Sequence, residues 1–168
     1  MFWRLVKAVL ILPGTALVYV PLIIHRFSGG WPFGAAGGSA SQLLLAVILA
    51  VPALSLAAIT MRLFVTEGDG TPAPWDPPLK FVVGGPYRHV RNPMLSAAVL
   101  LILAEAAALN SAALLSWAVF FFLLNTVYFV LVEEPGLEQR FGEPYLHYKA
   151  AVPRWIPTAR PYDPPVDT

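Results

Sequence analysis

The chain contains no cysteine. That excludes disulfides, thiolate-held metals, a cysteine nucleophile and lipid attachment through sulfur. Charge is also scarce: Asp, Glu, Lys and Arg make up 12% of the 168 residues, about half of what a soluble domain carries. The charges nearly cancel, to a formal +1, and no basic face is present, so nucleic acid is not an expected partner. No metal is expected either. What the chain does have is apolar surface, 57% hydrophobic residues with a mean hydropathy of +0.65, which places it among membrane proteins.

Four apolar runs stand out, at roughly residues 5–24, 42–65, 94–109 and 112–132. Each is read as a span of about 30 Å of hydrocarbon at about 1.5 Å per residue, the third nearly upright because it is short. The first is longer than the apolar stretch of about 7–15 residues in a signal peptide, so it is read as a retained span. Pro13, Pro21 and Pro52 lie within the first two runs and are expected to disturb their helices.

Ten of the eleven Lys and Arg residues fall at the termini or around residues 62–91, and only Arg26 lies between the first two runs. Basic residues collect on the cytoplasmic side. The expected arrangement is therefore a single all-α, polytopic integral membrane domain over 1–168. It has about four transmembrane helices, cytoplasmic termini and a cytoplasmic central loop at 66–92. In a bacterium this is the inner membrane. The short "LNSA" turn makes the last two spans a helical hairpin, followed by a cytoplasmic C-terminal helix or tail.

The hairpin brings together the two most polar segments, "GGPYRHVRNP" at 84–93 and "VEEPGLEQRFGEPYLHYKAAVPRWIP" from 132 onward. Glu133 and Glu134 end the fourth run, where the helix dipole disfavours carboxylates by about 0.3–1 kcal/mol. Arg88 and Arg91, or a cationic ligand, are the expected compensation. Gly84 and Gly85 allow close backbone approach. Asn92 is the expected N-cap of the third helix, with Pro93 in its first turn. Free N–H groups at that helix start suit a carboxylate or another oxygen-rich ligand.

Together, "GGPYRHVRNPM" and "EEPGLEQRFGEPYLHYKAAVPRWIP" resemble the isoprenylcysteine carboxyl methyltransferase family, broadly the membrane methyltransferases that include phospholipid N-methyltransferases. The resemblance covers residues 79–157. It implies an S-adenosylmethionine-dependent methyltransferase whose cofactor lies between the cytoplasmic ends of the last two spans. Tyr87, Asn92, Pro93, Met94 and Leu95 match the loop that holds the cofactor. Glu133, with Glu134 beside it, matches the carboxylate that contacts it, and Leu79, Lys80, Phe81 and Val82 match a strip lining it. Three positions depart from the pattern: Asn92 stands for a usual His, Leu95 for a Tyr, and Phe129 for an Arg thought to meet the substrate carboxylate in eukaryotic carboxyl methyltransferases.

The resemblance implies methyl transfer to a lipophilic acceptor entering from the bilayer, either a carboxylate oxygen or an amine nitrogen. An amine needs a proton acceptor, for which His89 and Glu134 are candidates. Rival readings are a membrane steroid-reductase-like enzyme using NADPH and a non-enzymatic membrane scaffold. Glu105 is read as interfacial or bonded to a neighbouring helix, and His25 as an outer-loop residue. Asn125, Thr126 and Tyr128 are read as helix–helix polar contacts or tunnel lining. The end of the tail "RPYDPPVDT" is read as disordered.

Overall fold

The computed structural model describes residues 2–28, 39–71, 73 and 75–164, and no strand occurs among them. A first helical segment comprises α1 (Phe2–Gly14), a π-turn (Thr15–Tyr19) and α2 (Val20–Phe27). Next comes α3 (Ala40–Thr66), then a loop containing one 3-10 turn (Gly85–Arg88). The hairpin is α4 (Pro93–Ala108) and α5 (Ala112–Tyr128). α5 continues through a second π-turn (Phe129–Glu133) into α6 (Glu134–Phe141), and α7 (Glu143–Ala151) follows. Residues 29–38, in the connection between the first two apolar runs, and residues 165–168 lie outside the described residues.

Four apolar helical segments stand where four runs were read, and two of them have full spanning length. Ala40–Thr66 and the continuous helix Ala112–Phe141 are long and apolar enough to cross a membrane, whereas Thr15–Phe27 and Pro93–Ala108 are apolar but shorter. Only 11% and 6% of the most apolar stretches of the two long helices is buried inside the fold, so neither is the core helix of a soluble protein. Leu44, Val47, Ile48 and Val51 on α3, and Val119, Phe120 and Leu123 on α5, face outward. An apolar surface that continuous needs an apolar environment.

α4 is the central element, packed along α3 on one side and α5 on the other. Ala97, Ala104 and Ala106 are buried on it, with Ala53 on α3 and Ala118 on α5. Small side chains let helix backbones approach, and close packing is what holds helices together in lipid, where no hydrophobic drive acts between them.

Both π-turns have the same local cause. Val20 N–H bonds the carbonyl of Thr15, and Glu134 N–H bonds that of Phe129, five residues back instead of four. Pro21 and Pro135 come next. A proline ring collides with the carbonyl four residues before it and supplies no N–H; a widened turn absorbs both defects. The disturbance expected in the first run is thus a π-turn. Pro52, in contrast, sits inside an unbroken α3.

At the end away from the central loop the helices are pinned by polar caps. Ser39 and Gln42 form a reciprocal capping box on α3, and the Gln42 side-chain amide donates to Asn110 Oδ1 at 2.7 Å. Asn110 takes a positive φ of 47° in the hairpin turn. Ser111 then caps α5 by accepting from Leu114 N–H. Ser111→Ala should lower stability by about 1 kcal/mol, read as a reduced melting temperature in detergent.

Candidate active site

The site is built where the central loop, the end of the α5–α6 helix and the C-terminal tail converge. The loop rests on the last turns of α3. Tyr87 is buried, its ring 5.6 Å from that of Phe64. Gly84 has no room for a side chain, because a Cβ there would lie 2.6 Å from a carboxylate oxygen of Glu67, and Gly85 needs its φ of +53°. Leu79 and Lys80 are exposed, with both N–H groups donating to the Gly68 carbonyl. Phe81 and Val82 turn inward. Phe81 packs against Phe141, Tyr145 and Tyr148, and Val82 is buried. Asn92, Pro93 and Leu95 are buried at the start of α4, and Met94 is half-buried.

Asn92 occupies the N-cap position, but its side chain makes no capping hydrogen bond. This departs from the expectation. Its backbone carbonyl instead accepts from both the N–H and the hydroxyl of Ser96. The first N–H groups of α4 are left without a side-chain cap in a buried setting.

The tail is what closes the site. Gly142, at φ +58°, turns the chain from α6 into α7. α7 buries Tyr145, Tyr148 and, just beyond it, Val152 in a cluster with Phe81, Val83, Leu137, Phe141 and Tyr162. Tyr148 donates its hydroxyl to the Tyr87 carbonyl at 2.7 Å. Burial pushes the pKa of both phenols far above the usual range, and Tyr148 adds to the shift at Tyr87, so both hydroxyls stay protonated. Tyr148→Phe should destabilise this end by about 1–3 kcal/mol by leaving a buried carbonyl unpaired. Hydrogen exchange at residues 87–90 checks this.

Beyond α7 the chain runs back over the loop in antiparallel order. Arg91 N–H donates to the Pro153 carbonyl at 2.9 Å, Thr158 N–H to that of His89 at 3.0 Å, and Tyr162 N–H to that of Arg88 at 2.8 Å. The Arg88 Nε donates to the Tyr162 carbonyl at 2.8 Å and its guanidinium pairs with Asp163. His89 Nδ1 lies 2.7 Å from the Thr158 carbonyl. A carbonyl only accepts, so that nitrogen carries the proton and is not free to act as a base. The tail is therefore bonded in place as far as Asp163; its end, expected to be disordered, lies outside the described residues.

The two adjacent glutamates have separate fates. Glu134 is 4% exposed. Its Oε1 accepts from Arg91 Nη1 at 2.9 Å and from Arg154 Nε at 2.7 Å; its Oε2 accepts from Arg154 Nη2 at 3.1 Å and lies 3.3 Å from Lys149 Nζ. The Glu134 carboxylate raises Arg154 above its ordinary range, while Glu138 and then Glu134 raise Lys149. Arg88, expected to share this role, is engaged with Asp163 instead. Glu133 is half-buried and makes no hydrogen bond or ion pair among the described residues; Arg140 acts on it only at longer range. The geometry thus joins the loop to the helix end through Arg91 and Glu134, and leaves Glu133 as the uncommitted carboxylate. Lys149 and Arg154 were not placed with Glu134 by sequence reasoning. Their only signal was the basic pair in "HYKAAVPRW".

A family model for phospholipid methyltransferase matches residues 44–144, more than half of the chain. The chain belongs to the phospholipid methyltransferase family. No curated protein and no solved structure matches it. The matched segment spans most of α3 through α6, so it contains the loop, the hairpin and both glutamates. Lys149, Arg154 and the tail that folds back over the loop lie beyond it. Family membership and the two long apolar helices make this a membrane methyltransferase.

Proposed function

We propose that the chain is an integral membrane S-adenosylmethionine-dependent methyltransferase acting on a lipophilic acceptor drawn from the bilayer. In this reading four helices cross the membrane, with the site and both termini on the cytoplasmic side. The distribution of Lys and Arg supports that orientation. When bound, S-adenosylmethionine would supply a methyl group on a sulfonium, which the acceptor's lone pair would take while the electron pair of the broken carbon–sulfur bond would remain on sulfur as a neutral thioether.

The residues present fit such a group. Glu133 offers an unpaired, half-buried carboxylate to a cation. The start of α4 is buried and uncapped, which suits a carboxylate. Arg91 keeps a buried Nε without a hydrogen-bond partner. Tyr87, Asn92, Pro93, Met94 and Leu95 form the loop that would hold the cofactor against Glu133, and Phe81 and Val82 back that loop. Orientation and exclusion of water are the protein's contribution, since a well-placed pair of reactants gains about 7–11 kcal/mol in favourable models. The exposed residues Val127, at the end of α5, and Val130 and Leu131, in the π-turn that follows, offer the acceptor's chains a path from lipid.

The observation that carries this reading is the division of labour between Glu134, fully paired, and Glu133, unpaired, at the helix end that meets the loop. Calorimetric titration of the detergent-purified protein with S-adenosylmethionine tests it. Saturable binding is expected, and its absence overturns the reading. A dinucleotide-using reductase would need Arg88 and Arg91 for phosphates, and both are engaged with carboxylates of the chain.

A further inference from the structure

Two basic side chains on the polar end have no anion to hold. Six Lys and Arg residues lie between positions 80 and 155. Arg88, Arg91, Lys149 and Arg154 are all held by carboxylates of the chain. Lys80 and Arg140 are exposed and make no ion pair among the described residues. They are also brought together. Arg140 Nη2 donates to the Pro78 carbonyl at 2.5 Å, and the ring of the next residue, Phe141, lies 5.2 Å from that of Phe81. Lys80 therefore stands between the two points at which the loop touches α6. The Arg140 guanidinium lies 5.1 Å from the centre of the Phe141 ring, which steadies it, and the rest of its fork of N–H groups is unused among the described residues.

The depth of this pair in the bilayer follows from α3. Its apolar stretch ends at Val65, and Gly68 comes three residues later, about 5 Å beyond the hydrocarbon edge. A headgroup layer is about 5–7 Å deep on each side. Leu79 and Lys80 both donate their N–H groups to the Gly68 carbonyl, at 2.8 and 3.1 Å, so the patch is tied to headgroup height. Trp75 and Leu79, in the same segment, are 54% and 69% exposed. Tryptophan settles at that boundary, with its ring toward the chains and its N–H toward water.

We infer that Lys80 and Arg140 bind the phosphate of an anionic phospholipid of the surrounding leaflet, with Trp75 and Leu79 against its glycerol and upper chains. A guanidinium fork matches two phosphate oxygens, and the ammonium adds a compact point charge. A zwitterionic head would bring its own cation against the pair, so a head with net negative charge is the preferred occupant. The cytoplasmic leaflet is where such lipids are met. The bound phosphate bridges the central loop to α6 beside the Phe81–Phe141 contact, and so braces the polar end from outside. No step of methyl transfer enters this inference, which rests only on the spanning helices and the two free cations.

The test is a calorimetric titration of the full-length protein in neutral detergent with dihexanoylphosphatidylglycerol and dihexanoylphosphatidylcholine, both below their micellar concentrations. The anionic lipid is expected to bind at least fivefold more tightly. Lys80→Gln with Arg140→Gln should erase that preference. Lys80→Gln alone, which removes no hydrogen bond or ion pair of the fold, should at least halve it with an unchanged melting temperature. Arg140→Lys keeps the charge without the fork and should retain part of it. Glycerophosphoglycerol, the same head without chains, should bind at least tenfold more weakly than the lipid. Equal binding of the chainless head marks a site for soluble anions and overturns the lipid assignment. Equal affinity of the wild type for the two lipids, or a preference that survives both Lys80→Gln and the double substitution, overturns the pair.

Discussion

Glu134→Ala is expected to destabilise the polar end of the protein by about 3–5 kcal/mol, the cost of breaking a buried ion pair by removing one partner. The Glu134 side chain is 5% exposed and that of Arg91 11%, so the desolvation of both is largely complete. Removing the carboxylate leaves the Arg91 guanidinium buried with no counter-charge and frees Arg154, while Lys149 keeps its pair with Glu138. Those two are about a third exposed, so water recovers part of their loss, which places the total toward the lower end of the range. The effect should be local in its first appearance: hydrogen exchange should accelerate at residues 88–91 and along the tail at 153–162 before the apolar helices respond. A loss below about 1 kcal/mol would mean that the three cations are held by packing alone.

Glu133→Gln is expected to do the opposite. The carboxylate it replaces forms no hydrogen bond or ion pair within the described residues, and the amide is nearly the same size, so stability should change by no more than about 0.5 kcal/mol. Affinity for S-adenosylmethionine should fall at least tenfold, equivalent to about 1.4 kcal/mol, because a positively charged ligand loses a carboxylate that no described side chain holds. Measured side by side, the adjacent substitutions should separate cleanly, one acting on melting and the other on binding. Unchanged affinity in Glu133→Gln sinks the assigned role.

Much of this arrangement is legible in the chain itself. Apolar runs report their own length, and a turn as short as "LNSA" leaves an antiparallel hairpin as the only geometry. That hairpin alone brings Arg91 to Glu134. What the sequence conceals is the choice between the two glutamates. Adjacent residues look equivalent on paper; their difference depends on the widened turn before Pro135 and on Gly142 redirecting α7 so that Lys149 and Arg154 return to one carboxylate. The partner of Arg88 was hidden for the same reason. Asp163 lies 75 residues away, and only the antiparallel return of the tail makes them neighbours. Asn92 shows the reverse case, a residue type that reads as a cap at a position where its side chain does not cap.

The return of residues 153–163 across the loop also imposes an order on biosynthesis. Chains emerge from the ribosome amino end first, so every described helix is made before the segment that covers the loop. A chain ending just past Ala151 would contain every described helix and still lack Arg154, Trp155 and the bonds to Arg88, His89 and Arg91. A stop codon just past Ala151 would therefore yield a chain with every described helix but without the segment that returns over the loop and holds Glu134 through Arg154.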